Sequence, residues 1–170
     1  MIQPPVTCDL PDPDTTTALA ARLGAVLRPG DCLLLEGDIG AGKTHFARAL
    51  IQSLLTLPED VPSPTFTLVQ TYDTPAGEVW HSDLYRLGDP AEVEELGLFD
   101  AMEQAICLIE WPDRLADLAP AGALRLHFTP VVDSENARRL TLDWDTPASG
   151  PQDWATRLAD PLAPLQETPK

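Results

Sequence analysis

Eight consecutive residues, Gly37-Asp-Ile-Gly40-Ala-Gly42-Lys43-Thr44, fit the pattern G-x-x-x-x-G-K-[ST] and constrain the local architecture more tightly than any other part of the chain. The pattern is informative only between a buried strand and a helix, and both neighbours supply that setting. Upstream, Cys32 to Glu36 is a short apolar run between turn residues, as in a strand covered on both faces of a parallel sheet. Downstream, Thr44 to Leu55 puts Phe46, Leu50, Ile51 and Leu54 on one side of a helix. Glycines at 37, 40 and 42 allow backbone angles closed to other residues, so the N–H groups of Asp38, Ala41 and their neighbours can turn inward around an anion. The helix beginning near Thr44 aims its free N–H groups and positive dipole end at the same point. The loop therefore predicts a bound nucleoside triphosphate, with Lys43 bridging the β and γ phosphates and the Thr44 hydroxyl on Mg²⁺.

Composition supports this placement. The only lysines are Lys43 and the terminal Lys170, so the single interior ammonium falls inside the loop. The chain carries 27 Asp and Glu against 11 Lys and Arg, a formal charge of -16. Such a surface repels phosphate backbones and anionic headgroups, which argues against direct contact with nucleic acid or membrane. With 44% apolar and 22% charged residues over 170 positions, one soluble globular domain is expected. Cys8, Cys32 and Cys107 form no C-x-x-C pair, which suits a reducing compartment. No run of 18 apolar residues and no basic-then-apolar leader is present, so a cytoplasmic protein is expected by elimination.

Prolines cluster at Pro4, Pro5, Pro11 and Pro13 and again from Pro147 to Pro169, predicting irregular ends around a core of roughly 14–146. The domain expected is 1–146, followed by a Pro-rich tail or short terminal helix over 147–170. Asp14 or Thr15 is expected to cap a helix running to about Leu27. Strands are expected over Phe66–Tyr72 and Glu78–Tyr85 as an antiparallel pair, and short helices over Ala91–Leu96 and Leu98–Gln104. Ala105 to Glu110 reads as a second buried strand beside the first. Ala123–Phe128 and Arg138–Trp144 alternate polar and apolar residues like half-exposed antiparallel strands. Together these give an α/β fold: a P-loop NTPase-like three-layer sandwich with a mixed, largely parallel sheet and antiparallel strands at its edges.

Magnesium also needs a carboxylate at the end of a neighbouring strand. Asp83 and Glu110 both close apolar runs, and spacing alone leaves each equally open to being a solvated strand-end acid.

Four segments carry a resemblance to a known family. They are Leu35 to Thr44, Ser63-Pro-Thr-Phe-Thr-Leu-Val69, His81-Ser-Asp-Leu-Tyr-Arg-Leu87 and Ile106-Cys-Leu-Ile-Glu-Trp-Pro112. Their order and spacing across about 14–145 resemble TsaE, the bacterial P-loop ATPase family of tRNA threonylcarbamoyladenosine biosynthesis. The resemblance implies that Thr65 belongs to a nucleotide-sensing segment, that Asp83 and Glu110 serve magnesium and the attacking water, and that Trp111 lies beside the site. It implies a base pocket walled by Pro13 to Thr16. It also implies partners resembling the TsaD and TsaB proteins, with tRNA engaged only through that complex. Two positions depart from the family pattern. His45 follows Thr44 where a second hydroxyl is common, and Asp133-Ser-Glu-Asn136 replaces a Gly-Arg turn beside the adenine, leaving Ser134 as the candidate contact there.

The function expected is thus a Mg²⁺-dependent ATPase acting in tRNA modification with those partners. A nucleotide-dependent docking module and a small-molecule kinase are the alternatives, although the arginine-rich lid of a kinase is not evident. A guanine-reading Asn-Lys-x-Asp motif is absent, since the one Asn is Asn136, followed by Ala.

Overall fold

The computed structural model describes residues 2–89, 91–145 and 152–166. The 146/147 boundary drawn from the sequence, and the prolines at 147, 151 and 169, lie outside these residues. Among the described residues seven strands form one sheet: β1 Val6–Leu10, β2 Cys32–Glu36, β3 Val69–Thr74, β4 Gly77–Asp83, β5 Ile106–Glu110, β6 Leu124–Pro130 and β7 Arg138–Asp143. Their order is β1-β7-β6-β2-β5-β4-β3. Strands β6, β2, β5 and β4 run parallel, while β7 and β3 run antiparallel to their inner neighbours and β1 antiparallel to β7. The sheet is therefore parallel at its centre and mixed at both edges, as the sequence patterning predicts.

Apolar layers cover both faces, which is why β2 and β5 are apolar throughout rather than alternating. On one face Leu33, Leu35, Ile106 and Leu108 pack with Phe46, Leu50 and Leu19 of helices α2 (Lys43–Leu54) and α1 (Pro13–Gly24). On the other, Cys32, Leu34, Cys107 and Ile109 meet Val93, Leu98 and Met102 of helices α3 (Ala91–Glu95) and α4 (Leu98–Gln104). The three cysteines are buried and unbridged.

Several elements differ from expectation for identifiable reasons. Helix α1 starts two residues early because Asp12, not Asp14 or Thr15, is its cap: the Asp12 carboxylate accepts from the Thr15 N–H at 2.7 Å. Pro13 suits the first helical position, where no N–H is needed. The strand expected from Phe66 begins at Val69 instead, because the chain first makes a tight turn in which Leu68 N–H donates to the Pro64 carbonyl at 2.7 Å. Leu68 there adopts φ 67° and Phe66 is left 80% exposed.

The proline-marked ends are not peripheral. Val6, Cys8 and Leu10 are buried on alternate positions of β1. Helices α5 (Trp154–Arg157) and α6 (Ala159–Gln166) bring Trp154, Leu158 and Leu162 into the main core. The Trp154 indole N–H donates to the Gly122 carbonyl at 2.9 Å. Arg157 forms a buried ion pair with Asp31, whose other carboxylate contact is the Arg28 N–H.

Candidate functional site

Strand β2 lies at the middle of the sheet and delivers the glycine loop between it and α2. Gly37 turns out of the strand at φ 141°, a conformation closed to ordinary L residues; a β-carbon there would lie 2.7 Å from the Phe128 carbonyl oxygen. Gly40, at φ 80°, is different: it is exposed, and a β-carbon there would meet nothing within 4 Å. The loop is held by Arg138 at the start of β7, whose guanidinium donates to the Ala41 carbonyl at 3.0 Å and the Gly40 carbonyl at 3.2 Å. Within the loop the Ala41 N–H donates to the Asp38 carbonyl at 3.0 Å, so this turn and Arg138 together fix the loop's shape.

Lys43 extends back along the loop. Its ammonium donates to the Gly37 carbonyl and lies over the Trp111 ring, 3.4 Å from the centroid. The side chain is buried, and burial pushes the ammonium below its ordinary pKa against the opposing pull of Glu110, Asp83, Asp38 and Asp113. No carboxylate lies within ion-pair distance of Lys43 among the described residues. A buried ammonium supported by one carbonyl and a ring face has capacity for an anion.

The two carboxylates left open by the sequence occupy matched positions. Asp83 at the end of β4 is the register partner of Glu110 at the end of β5, and Glu110 in turn lies opposite Leu35 of β2. Both are buried, so neither is a solvated strand end. Glu110 Oε1 accepts from the Thr44 hydroxyl at 2.7 Å. Its Oε2 is 2.7 Å from His81 Nε2. Asp83 accepts from the Thr65 hydroxyl at 3.2 Å and the Tyr85 N–H at 3.0 Å. The Thr65 hydroxyl also meets Ser63 at 2.7 Å, so the Pro64 turn seats this segment on Asp83.

Toward the β6–β7 side a cleft of about 350 Å³ opens, lined by Pro13, Thr16, Gly40, Gly42, Lys43, Thr44 and His45, and also by Phe128, Glu135, Asn136 and Arg138. His45 is tied to α1, its Nε2 lying 3.2 Å from the Thr17 hydroxyl and 3.3 Å from the Pro13 carbonyl. Gly37, Asp38 and Trp111 line a separate hollow of about 270 Å³. Ala41 is buried beneath the loop. Ser134 does not line the cleft; its hydroxyl accepts from the Ala137 N–H at 3.1 Å within the turn, and the wall there is Glu135 and Asn136.

Four features of the site were missed from the sequence: Arg138, His81, Phe128 and the Glu135–Asn136 wall. His81 carried a signal, lying two residues before Asp83 in the same family-like segment, and Glu135 and Asn136 fall in the 133–136 turn expected beside the adenine, where Ser134 was the candidate instead. Contacts between β7 and the loop are too distant along the chain for spacing to suggest them.

Among the described residues no group of three or more His, Cys, Asp or Glu side chains could hold a metal alone. The available set, Thr44 with Glu110 and Asp83 nearby, fits a hard cation that keeps waters and shares phosphate oxygens. No helix of the described residues is long and apolar enough to cross a membrane.

A central parallel strand leading through a glycine loop into a buried helix, with acids closing the adjacent strands, defines the P-loop NTPase-like class. Comparison with known proteins carries this further. The family model "Threonylcarbamoyl adenosine biosynthesis protein TsaE" matches residues 10–140, and the chain belongs to the TsaE family. It is 36% identical over 131 residues to the tRNA threonylcarbamoyladenosine biosynthesis protein TsaE of Rickettsia bellii, covering 77% of this chain and 91% of that protein. It is 37% identical over 131 residues to the Bacillus subtilis protein of the same description, covering 76% and 81%. The crystal structure of Bacillus subtilis YdiB superposes with a TM-score of 0.75 at 25% identity, covering 96% of this chain and 97% of that one.

Proposed function

We propose that this chain is a Mg²⁺-dependent ATPase that acts in threonylcarbamoyl modification of tRNA adenosine next to the anticodon. In this reading it works with TsaD-like and TsaB-like proteins and meets tRNA only through them. The observation that carries the reading is the 2.7 Å contact between Thr44 and the buried Glu110, beside a buried Lys43 without an acidic partner. It supplies one hydroxyl and one carboxylate for a cation and one ammonium for phosphate at the mouth of a single loop.

The sheet order gives the triphosphate a direction. The cleft with Pro13, Thr16, His45 and Phe128 lies on the β6–β7 side of the loop, and the carboxylates on the β5–β4 side. The base and sugar would occupy the cleft, where Pro13 and Phe128 offer apolar surface, and the terminal phosphate would point toward Glu110 and Asp83. N–H groups of the loop and of the first turn of α2 bind the phosphates, and Lys43 turns from the Gly37 carbonyl to the β and γ oxygens. Thr44 and Glu110 would hold Mg²⁺, which when bound neutralises charge developing on the phosphate oxygens. Asp83 and Thr65 stand beside Glu110, where a carboxylate can orient a water for in-line attack. Because Thr65 reaches Asp83 from a turn rather than a strand, the same contact can transmit nucleotide state to the surface around Phe66.

The test is phosphate release from ATP by the chain mixed with its TsaD-like and TsaB-like partners. Turnover is expected with Mg²⁺ and its loss on chelation, with Lys43→Ala and Glu110→Ala both strongly impaired. Equal turnover by Lys43→Ala would overturn the assignment, and ATP binding with no release at all would favour a docking module.

A further inference from the structure

The structure assigns a task to His81 that neither the loop pattern nor the family match supplies: it is the positioning residue that fixes the Glu110 carboxylate so that Oε1 faces Thr44. This rests on the Mg²⁺–nucleotide reading above.

Sheet geometry places the pair. His81 lies opposite Leu108 and Asp83 opposite Glu110, so His81 sits diagonally from Glu110, on the face of the sheet that carries α2. Diagonal cross-strand neighbours are within reach of a long side chain. His81 is fully buried and Glu110 is 2% exposed, yet the contact measures 2.7 Å. The remaining ring nitrogen, Nδ1, is buried without a partner. A hydrogen on Nε2 and none on Nδ1 satisfies this arrangement, since a buried N–H without an acceptor is costly whereas a bare lone pair is less so. The imidazole then donates one hydrogen bond, to Oε2. With Oε2 held by His81 and Oε1 by Thr44, the carboxylate cannot rotate about its last bond without breaking a buried hydrogen bond. The register sets Leu108 and Gln70 directly opposite His81, with apolar Val79 two positions along its own strand, and a buried polar ring there has no packing advantage over a Leu or Phe of similar size, so its use is orientation of the acid.

The experiment measures ATP affinity of the full chain in EDTA and across a Mg²⁺ titration, for the parent, His81→Leu, His81→Gln, Glu110→Gln and the double variant His81→Leu/Glu110→Gln. The expected result is that His81→Leu raises the Mg²⁺ concentration for half effect by on the order of 10–100-fold, with Mg²⁺-free ATP affinity unchanged. His81→Gln, whose amide N–H reaches the Nε2 position, should recover most of the Mg²⁺ response. In the Glu110→Gln background His81→Leu should add no further loss, because His81 acts through Glu110. Unchanged Mg²⁺ dependence in His81→Leu, an equal loss of Mg²⁺-free affinity, or losses that multiply in the double variant would overturn the assignment. If His81→Leu does not fold, His81→Gln against His81→Asn carries the same test, since Asn is too short to reach Glu110; identical behaviour of those two would refute it. A parent chain that binds ATP no better with Mg²⁺ than without would overturn the nucleotide reading and this inference together, whereas a normal parent with an unaffected His81→Leu would overturn this inference alone.

Discussion

Two glycines of the same loop should fail in opposite ways when given a methyl group. At Gly37 the added β-carbon would lie 2.7 Å from the Phe128 carbonyl oxygen and 3.1 Å from Ala41 Cβ, at a backbone φ of 141°. The forbidden conformation costs about 1–3 kcal/mol and the collision with packed backbone about 1–3 kcal/mol more. Their midpoint is about 4 kcal/mol, which in a chain of this size lowers Tm by on the order of 8–16 °C. At Gly40 φ is 80° and nothing lies within 4 Å, so only the left-handed penalty of about 1–2 kcal/mol applies. Gly40 lines the cleft, where displacing one charge-assisted hydrogen bond to a phosphate costs about 1.5–3 kcal/mol, or at least about tenfold in affinity. Thermal unfolding without nucleotide and ATP titration with Mg²⁺ measure the two losses separately. Gly37→Ala should be the less stable variant, and Gly40→Ala a folded one that binds ATP poorly. A nucleotide-free Gly40→Ala as unstable as Gly37→Ala, or a Gly37→Ala with parental Tm, would refute the division.

Other perturbations test other parts of the molecule. Trp154→Ala removes a fully buried ring from the terminal helices and should cost about 3–5 kcal/mol in urea unfolding, against almost nothing if that segment were a loose tail. Arg157→Met strands the buried Asp31 carboxylate at a cost of about 3–5 kcal/mol, and Asp31→Asn added to it should recover part of the loss. Burial raises the Cys8 thiol to about 11 and the Cys107 thiol to about 12 from an ordinary 9.0, and raises Cys32 as well. Each folded thiol therefore keeps its proton where the unfolded one has lost it, so this contribution to stability is complete below pH 9 and declines from there toward pH 11 and 12. Alkylation at pH 8 should leave all three cysteines unmodified in the folded chain and modify them in urea; rapid labelling without denaturant would contradict their burial.

Local chemistry was what the sequence made legible. The loop from Gly37 to Thr44 and strand β2 were visible because glycine spacing and a continuous apolar run each have one physical explanation. Asp83 and Glu110 were visible as strand-closing acids, but their pairing in register and their burial depend on β4 and β5 being neighbours, which spacing does not encode. The N-terminal strand was missed because proline outweighed a weaker signal: Val6, Cys8 and Leu10 alternate as a strand should, yet lie between proline pairs. A short terminal helix over 147–170 stood only as one of two readings, because the helix over Ala159–Gln166 carries Pro161 and Pro164. Leu68 belongs to an apolar run by composition but turns the chain with a left-handed backbone, held by its bonds to Pro64 and Asp83 and by the contact between Thr65 and Asp83, none of which spacing encodes. Arg138 and the Glu135–Asn136 wall become site residues only once β7 folds back beside the loop.

Reconstituted tRNA modification tests the central claim most directly. TsaD-like and TsaB-like partners, tRNA, ATP, Mg²⁺ and a source of the threonylcarbamoyl group would be combined without this chain, with it, and with Lys43→Ala. Repeated rounds of threonylcarbamoyladenosine formation are predicted only with the parent chain. Modification supported equally by Lys43→Ala, or undiminished when the chain is left out, would contradict the claim.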